Sequence, residues 1–224
     1  MLIEELRTDL FRSAMLETGS SEDSGKALQW LETARKDPGA ISQKADLSDV
    51  MLYRHGDGKV TDERIKDEIA CLKTTLKERE VTSWCQPQAF NRKEHFCGLI
   101  ITKIKDTYFW LMQVVEEPGI IGSAQIGPSV QTDAIREGAA NSQVYSGLFS
   151  NPERSRIVFD VIHSEEGGRF YRDKKRFMCL LLPEGEVKIN GPKYKLVSGG
   201  AVKKLVQKEN VLNIFARNFL AILL

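Results

Sequence analysis

The chain has 224 residues, 42% hydrophobic and 28% charged, with a formal net charge of +1. Those values suit one large domain or two small ones with a real core, and they exclude a disordered, collagenous or strongly polyionic protein. No apolar run reaches the ~18 residues of a membrane span, and the acidic, amphipathic start MLIEELRTDLF is unlike a secretory signal peptide. Four cysteines, Cys71, Cys85, Cys97 and Cys179, are too few for a disulfide framework in a chain of this length, so the expected setting is a reducing intracellular compartment, cytoplasm or nucleus.

The charge is unevenly spread. Residues 1–80 carry 13 Lys+Arg against 17 Asp+Glu, residues 81–150 carry 5 against 6, and residues 151–224 carry 14 against 8. A basic last third on an acidic first third suggests an anionic partner on one side.

Taken in chain order, Ile3, Leu6, Leu10 and Ala14 form one stripe of an amphipathic helix that ends at Gly19-Ser20-Ser21. Ala27, Leu31 and Ala34, with Leu28 beside them, repeat the pattern until Asp37-Pro38-Gly39 stops it. DLSDVMLYRH follows, two helical turns in expectation. Thr61 then caps a third long helix, with Asp62 and Glu63 in its first turn and Ile65, Ile69, Leu72 and Leu76 as its stripe. The pattern changes near residue 97. GLIITKIK and YFWLMQVV read as a hairpin turning at Asp106-Thr107. Residues 116–130 read as a long loop and 130–140 as a short helix. RIVFDVI and RFMCLLL read as strands, and LLLPEGEVKINGPKYKLVS as a further hairpin turning at Asn190-Gly191. Gly199-Gly200 opens two closing helical segments, AVKKLVQK and VLNIFARNFLAILL.

The expected class is therefore α+β: a helical N-terminal lobe (1–80), a mostly antiparallel β region (81–198) and a C-terminal helical segment packing back (199–224). No GxGxxG follows a strand and no GxxxxGK[ST] occurs, so neither of those nucleotide-binding loops is supported. YRHGDGKVTDERI is no calcium loop, because Tyr53 and Arg64 stand where carboxylates are needed.

Three constellations carry candidate chemistry. Glu184 and Glu186 flank one position of an expected strand and so share a face, where two carboxylates split their acidities usefully for acid–base work. This Glu-x-Glu before a turn and a strand resembles the last motif of mono-ADP-ribosyltransferases. The resemblance implies roles for Arg54, for Ser146 or Ser150, and for Glu186, although the family's Ser-Thr-Ser element is absent. Asp160 with Glu186-Val187-Lys188 looks like the PD-(D/E)xK nucleases, which implies Mg²⁺ on the carboxylates and Lys188 beside a phosphate, here without the preceding proline. Cys71, Cys85, His95 and Cys97 are zinc-type ligands at irregular spacing, with no CxxC pair. His163 has no recognisable Ser or Cys partner.

The third constellation is GGRFYRDKKRF, residues 167–177. Arg169, Arg172, Lys174, Lys175 and Arg176 surround Phe170 and Tyr171; cations neutralise phosphates and aromatic rings stack on unpaired bases. The function expected from the sequence is therefore a non-catalytic binding or regulatory module that contacts an anionic partner, RNA above all, through these seven residues. The alternatives are an enzyme using Glu184 and Glu186, as an ADP-ribosyl transferase or a metal-dependent nuclease, and a protein–protein adaptor or homo-oligomer built on the amphipathic helices. No cofactor is specified and no membrane contact is expected.

Overall fold

The computed structural model describes residues 3–15, 20–39, 42–44, 46, 53–56, 59–62, 67–78, 80–90, 95–132 and 144–224. It bears out the α+β class: helices come first, a sheet of several strands follows, and helices close the chain. The chain divides into two compact units. The first comprises Met1–Ser42, Phe96–Val161 and Phe177–Leu224, the second Gln43–His95 and Ile162–Arg176.

In the first unit, α1 (Ile3–Met15) begins with Glu4 and Glu5, favourably placed against the helix dipole. It buries Leu6, Leu10 and Ala14. Ser13 joins that face, and its hydroxyl accepts the backbone N–H of Tyr108 at 2.9 Å. α2 (Ser20–Lys36) buries Ala27 and Leu31 and ends on Arg35 and Lys36. Arg35 works as a staple: it donates to the Ala124 carbonyl at 3.1 Å, to Glu32 at 2.8 Å and to the Asn210 carbonyl at 2.5 Å.

The central strands are β5 (His95–Ile104), β6 (Thr107–Val115), β9 (Ile157–Ser164), β10 (Lys174–Leu182) and β11 (Tyr194–Ser198), in the order β11-β6-β5-β10-β9. Short β7 (Gln125–Gly127) and β8 (Val130–Thr132) pair antiparallel with β6 and β5. The β5–β6 hairpin forms, but it turns one residue earlier than expected, at Lys105-Asp106, with Lys105 in the left-handed region (φ 55°) and Thr107 already paired with Ile104. Alternation splits the core between two faces. Trp110, Met112 and Leu99 lie in one cluster with α1, α2, α3 (Gly199–Leu205) and α4 (Ile214–Leu223). Ile100, Leu111, Met178 and Leu180 lie in the other with Tyr145 and Phe149. Ser198 caps α3 and Asn213 caps α4, each side chain accepting from a helical N–H (Ala201, 3.4 Å; Ala216, 2.9 Å).

The second unit holds a four-stranded sheet, β1 (Tyr53–Gly56), β2 (Lys59–Asp62), β3 (Asp67–Thr75) and β4 (Ser83–Phe90), each pair antiparallel. This corrects the expected third helix. The 65-69-72-76 spacing fits a helix, but DEIACLKTT pairs along its length with β4, from Glu68↔Phe90 to Thr75↔Ser83. Ile69 and Leu76 stay 44% and 39% exposed, so no buried helical stripe exists there. Strand pairing overrides a weak helical period.

LLLPEGEVKINGPKYKLVS departs as well. β10 ends at Leu182, Glu184-Gly185-Glu186 is a turn with Gly185 at φ 90°, and β11 pairs with β6. The expected helix over 130–140 falls on β8 up to Thr132 and outside the described residues beyond it. Among the described residues no helix is long and apolar enough to cross a membrane.

Candidate functional site

The richest polar constellation among the described residues lies at the Ser164–Lys174 turn of the second unit. The backbone N–H of Glu165 donates to the Asp173 carbonyl at 3.0 Å, which closes the hairpin. The Asp173 side chain is only 2% exposed, and its Oδ1 accepts the Lys174 N–H at 2.9 Å. Its Oδ2 stands 3.8 Å from Nε2 of His95, whose side chain is 24% exposed. Two residues along the same strand, Lys175 Nζ meets Glu165 Oε1 at 2.8 Å, with both side chains more than four-fifths buried. A buried carboxylate costs free energy unless it is satisfied; here the Lys174 N–H meets Oδ1, and the His95 ring stands near Oδ2. A partly exposed imidazole beside a buried carboxylate is a group that can take and return a proton.

The cationic aromatic segment continues from this turn. Residues 169–171 are zipped onto β4: the Ala89 N–H donates to the Arg169 carbonyl at 2.8 Å and the Tyr171 N–H to the Ala89 carbonyl at 2.9 Å. Gln86 donates to the Gly168 carbonyl at 2.6 Å. The Tyr171 ring lies 4.6 Å from that of Phe90, and the guanidinium of Arg172 stands 5.2 Å over Tyr171. Arg169 stands 5.9 Å over Phe170 and is paired with Glu166. Two of the five cations, Arg169 and Lys175, are thus neutralised within the segment, while Arg172 and Lys174 have no carboxylate partner among the described residues.

Glu184 and Glu186 lie in the first unit. Glu184 lines a hollow of about 410 Å³ with Lys103, Glu153, Ser155, Arg156 and the Leu181–Pro183 stretch. Arg156 is clamped there between Glu153 (3.1 Å) and Glu186. The two glutamates do not share a strand face, because left-handed Gly185 between them turns the chain. An exposed Glu186 already engaged by Arg156 is not assembled as a transferase or nuclease carboxylate. Ser146 is buried at the start of a 3₁₀ turn (Ser146–Phe149) and Ser150 follows it. Asp160 and Lys188 are exposed. Arg54 is on β1, and nothing is described of its side chain.

The zinc candidates are likewise not gathered. Cys71 and Cys85 are exposed on β3 and β4, Cys97 is buried, and His95 faces Asp173. Among the described residues no three His, Cys, Asp or Glu side chains group as metal ligands. The pairing of His95 with Asp173 escaped the sequence reading; its one signal is an aspartate embedded in the basic run YRDKKR.

The family described as NDP-hexose 2,3-dehydratase matches residues 24–223. The chain belongs to this family. Three dTDP-4-dehydro-6-deoxy-alpha-D-glucopyranose 2,3-dehydratases are similar to it. That of Amycolatopsis orientalis is 25% identical over 198 residues (87% of this chain, 42% of that protein). That of Streptomyces violaceoruber is 26% identical over 211 residues (89% and 46%). That of Saccharopolyspora spinosa is 26% identical over 207 residues (90% and 42%). The chain spans less than half the length of these curated relatives. A solved ADP compounds hydrolase superposes over 83% of this chain and 94% of its own at 12% identity, but its TM-score of 0.37 is too low to carry an argument. Membership of the dehydratase family overturns the expected non-catalytic RNA-binding module: the family is one of sugar-modifying enzymes. The physical reason for the misreading is that cations beside aromatic rings suit any phosphate-bearing ligand, and two of the cations counted toward a polymer are spent internally.

Proposed function

We propose that this chain acts in the dehydration of a nucleoside-diphosphate hexose carrying a C4 ketone, removing water across C2 and C3. The chemistry follows from that substrate. The hydrogen on C3 is α to the carbonyl, so its removal leaves an enolate, and the hydroxyl on C2 is then a β leaving group. The C3–H and C2–O bonds break, a C2=C3 double bond forms, and the hydroxide departs as water once it has received a proton. No oxidant or reductant is consumed.

The reading rests on one observation: His95 beside the buried carboxylate of Asp173, with Lys175 and Glu165 on the same hairpin. His95 takes the C3 proton and returns it to the departing hydroxide, and Asp173 orients the imidazole. Arg172 and Lys174 supply cations for the diphosphate, and Tyr171, stacked on Phe90, supplies a ring face for the base.

The test is turnover of dTDP-4-dehydro-6-deoxyglucose in D₂O followed by NMR. Wild type exchanges the C3 hydrogen and loses the C2 hydroxyl, while His95→Asn loses about 10²–10⁴-fold in rate with its melting temperature retained. Wild type that neither exchanges nor eliminates refutes the reading, and an unimpaired His95→Asn removes His95 from it.

A further inference from the structure

Two hollows in the first unit adjoin at Val206 and Arg217, which line both, and together make up a groove. One end, about 370 Å³, is apolar: Phe11 and Met15 from α1 face Leu220, Ala221 and Leu224 at the end of α4. Phe11 and Met15, one helical turn apart, are 48% and 49% exposed. The other end, about 280 Å³, is polar and carries Lys208, Gln125 and Gln207 around the α3–α4 turn. Three cations border the groove, Lys203, Lys208 and Arg217, and none has a carboxylate partner among the described residues. Lys203 instead lays its ammonium 2.6 Å from the Met15 sulfur. Glu209 is the single acid lining either hollow, so the lining carries an excess of positive charge.

We infer that this groove is a docking surface for an amphipathic α-helix of another polypeptide, one whose apolar stripe is flanked by Asp or Glu. Apolar side chains spaced one turn apart on two helices leave a furrow that takes i, i+4 and i+7 anchors from a third. The unneutralised cations at the rim complement acidic flanks and repel basic ones, which gives the surface its selectivity. Concavity decides between a protein ridge and a lipid surface. Peripheral membrane contact presents a convex apolar face beside its cations, whereas here Phe11 and Leu224 wall a recess. The surface shares no residue with the His95–Asp173 pair and stands whether or not they carry the dehydration.

The experiment uses the full chain and a fluorescein-labelled designed helix with leucines at i, i+4, i+7 and i+11 and glutamates flanking them, read by anisotropy. A matched helix with lysine flanks is the control. The glutamate helix binds, the lysine helix does not, and affinity falls about tenfold or more in Phe11→Asp and in Arg217→Glu. Both residues are exposed, so these variants keep the wild-type circular dichroism and melting temperature. Absence of glutamate-helix binding at about 100 μM, equal binding of the two helices, or unchanged affinity in both variants overturns the inference. So does tighter association with phosphatidylserine vesicles than with the helix. Concentration-dependent self-association lost in Phe11→Asp assigns the groove to a second copy and overturns it too.

Discussion

Gly98 sits in the middle of β5, paired with Val130 of β8 and flanked by buried Cys97 and Leu99. A methyl group there would lie 2.6, 2.8 and 2.9 Å from three carbons of the Phe149 ring. The ring cannot simply swing aside: it is 3% exposed and packs edge-on to Phe96 at 5.3 Å. Glycine within a strand costs about 0.5–1 kcal/mol relative to alanine, which favours Gly98→Ala. Overpacking a filled core costs about 1–3 kcal/mol, which opposes it and wins. The expected net loss is about 1–2 kcal/mol, measured as ΔG from urea unfolding at constant slope. Phe149→Leu removes the obstructing edge. In that background Gly98→Ala becomes neutral or stabilising, so the cycle shows a coupling of about 1 kcal/mol or more. Additivity within about 0.5 kcal/mol refutes the close-packing argument, because the two residues would then not be competing for one space.

Arg35→Met removes three hydrogen bonds, two of them at exposed acceptors that water can satisfy, for an expected loss of about 1–2 kcal/mol; Arg35→Lys recovers little, since an ammonium cannot reproduce the guanidinium fork, and thermal melts of the pair check both. Asn213→Ala loses the α4 cap and the 2.8 Å bond to Gln131 and costs about 1–2 kcal/mol, whereas Asn213→Asp keeps the cap and restores part of it in the same unfolding assay. Burial pushes the Cys179 thiol well up, and burial with smaller charge effects raises Tyr194 and Tyr108. The fold therefore holds these protons more tightly than the unfolded chain. That stability is fully present below the unfolded values of about 8.5 and 10, and melting temperature falls as pH rises through and beyond them. In a thiol titration Cys71 and Cys85 react promptly, while Cys97 and Cys179 react only when the chain opens.

The helices at both ends were legible because their signals are local. Apolar residues three and four apart gave α1 and α2, and the closing helices were read from the segments after Gly199-Gly200. The β5–β6 hairpin was legible for the same reason, since a two-residue turn joins two β-branched and aromatic runs. β3 was not, because its pairing with β4 is a property of two segments and its own sequence carries a competing period of three to four. Glu184 and Glu186 failed by one glycine: a strand reading needs Gly185 extended, and φ 90° makes it a turn.

The candidate site was half legible, and the halves divide by range. Counting cations and aromatic rings in residues 167–177 found the segment, since composition is local. What composition cannot report is which charges are already answered. Glu166 and Glu165 come three residues before Arg169 and ten before Lys175, yet only the hairpin shows that both meet their cations. With those pairs subtracted, Arg172 and Lys174 are the cations of the segment without a partner among the described residues, beside a stacked ring. Asp173 shows the same limit from the other side. Within a basic run it reads as one more surface charge, and only the fold shows that it is buried near His95.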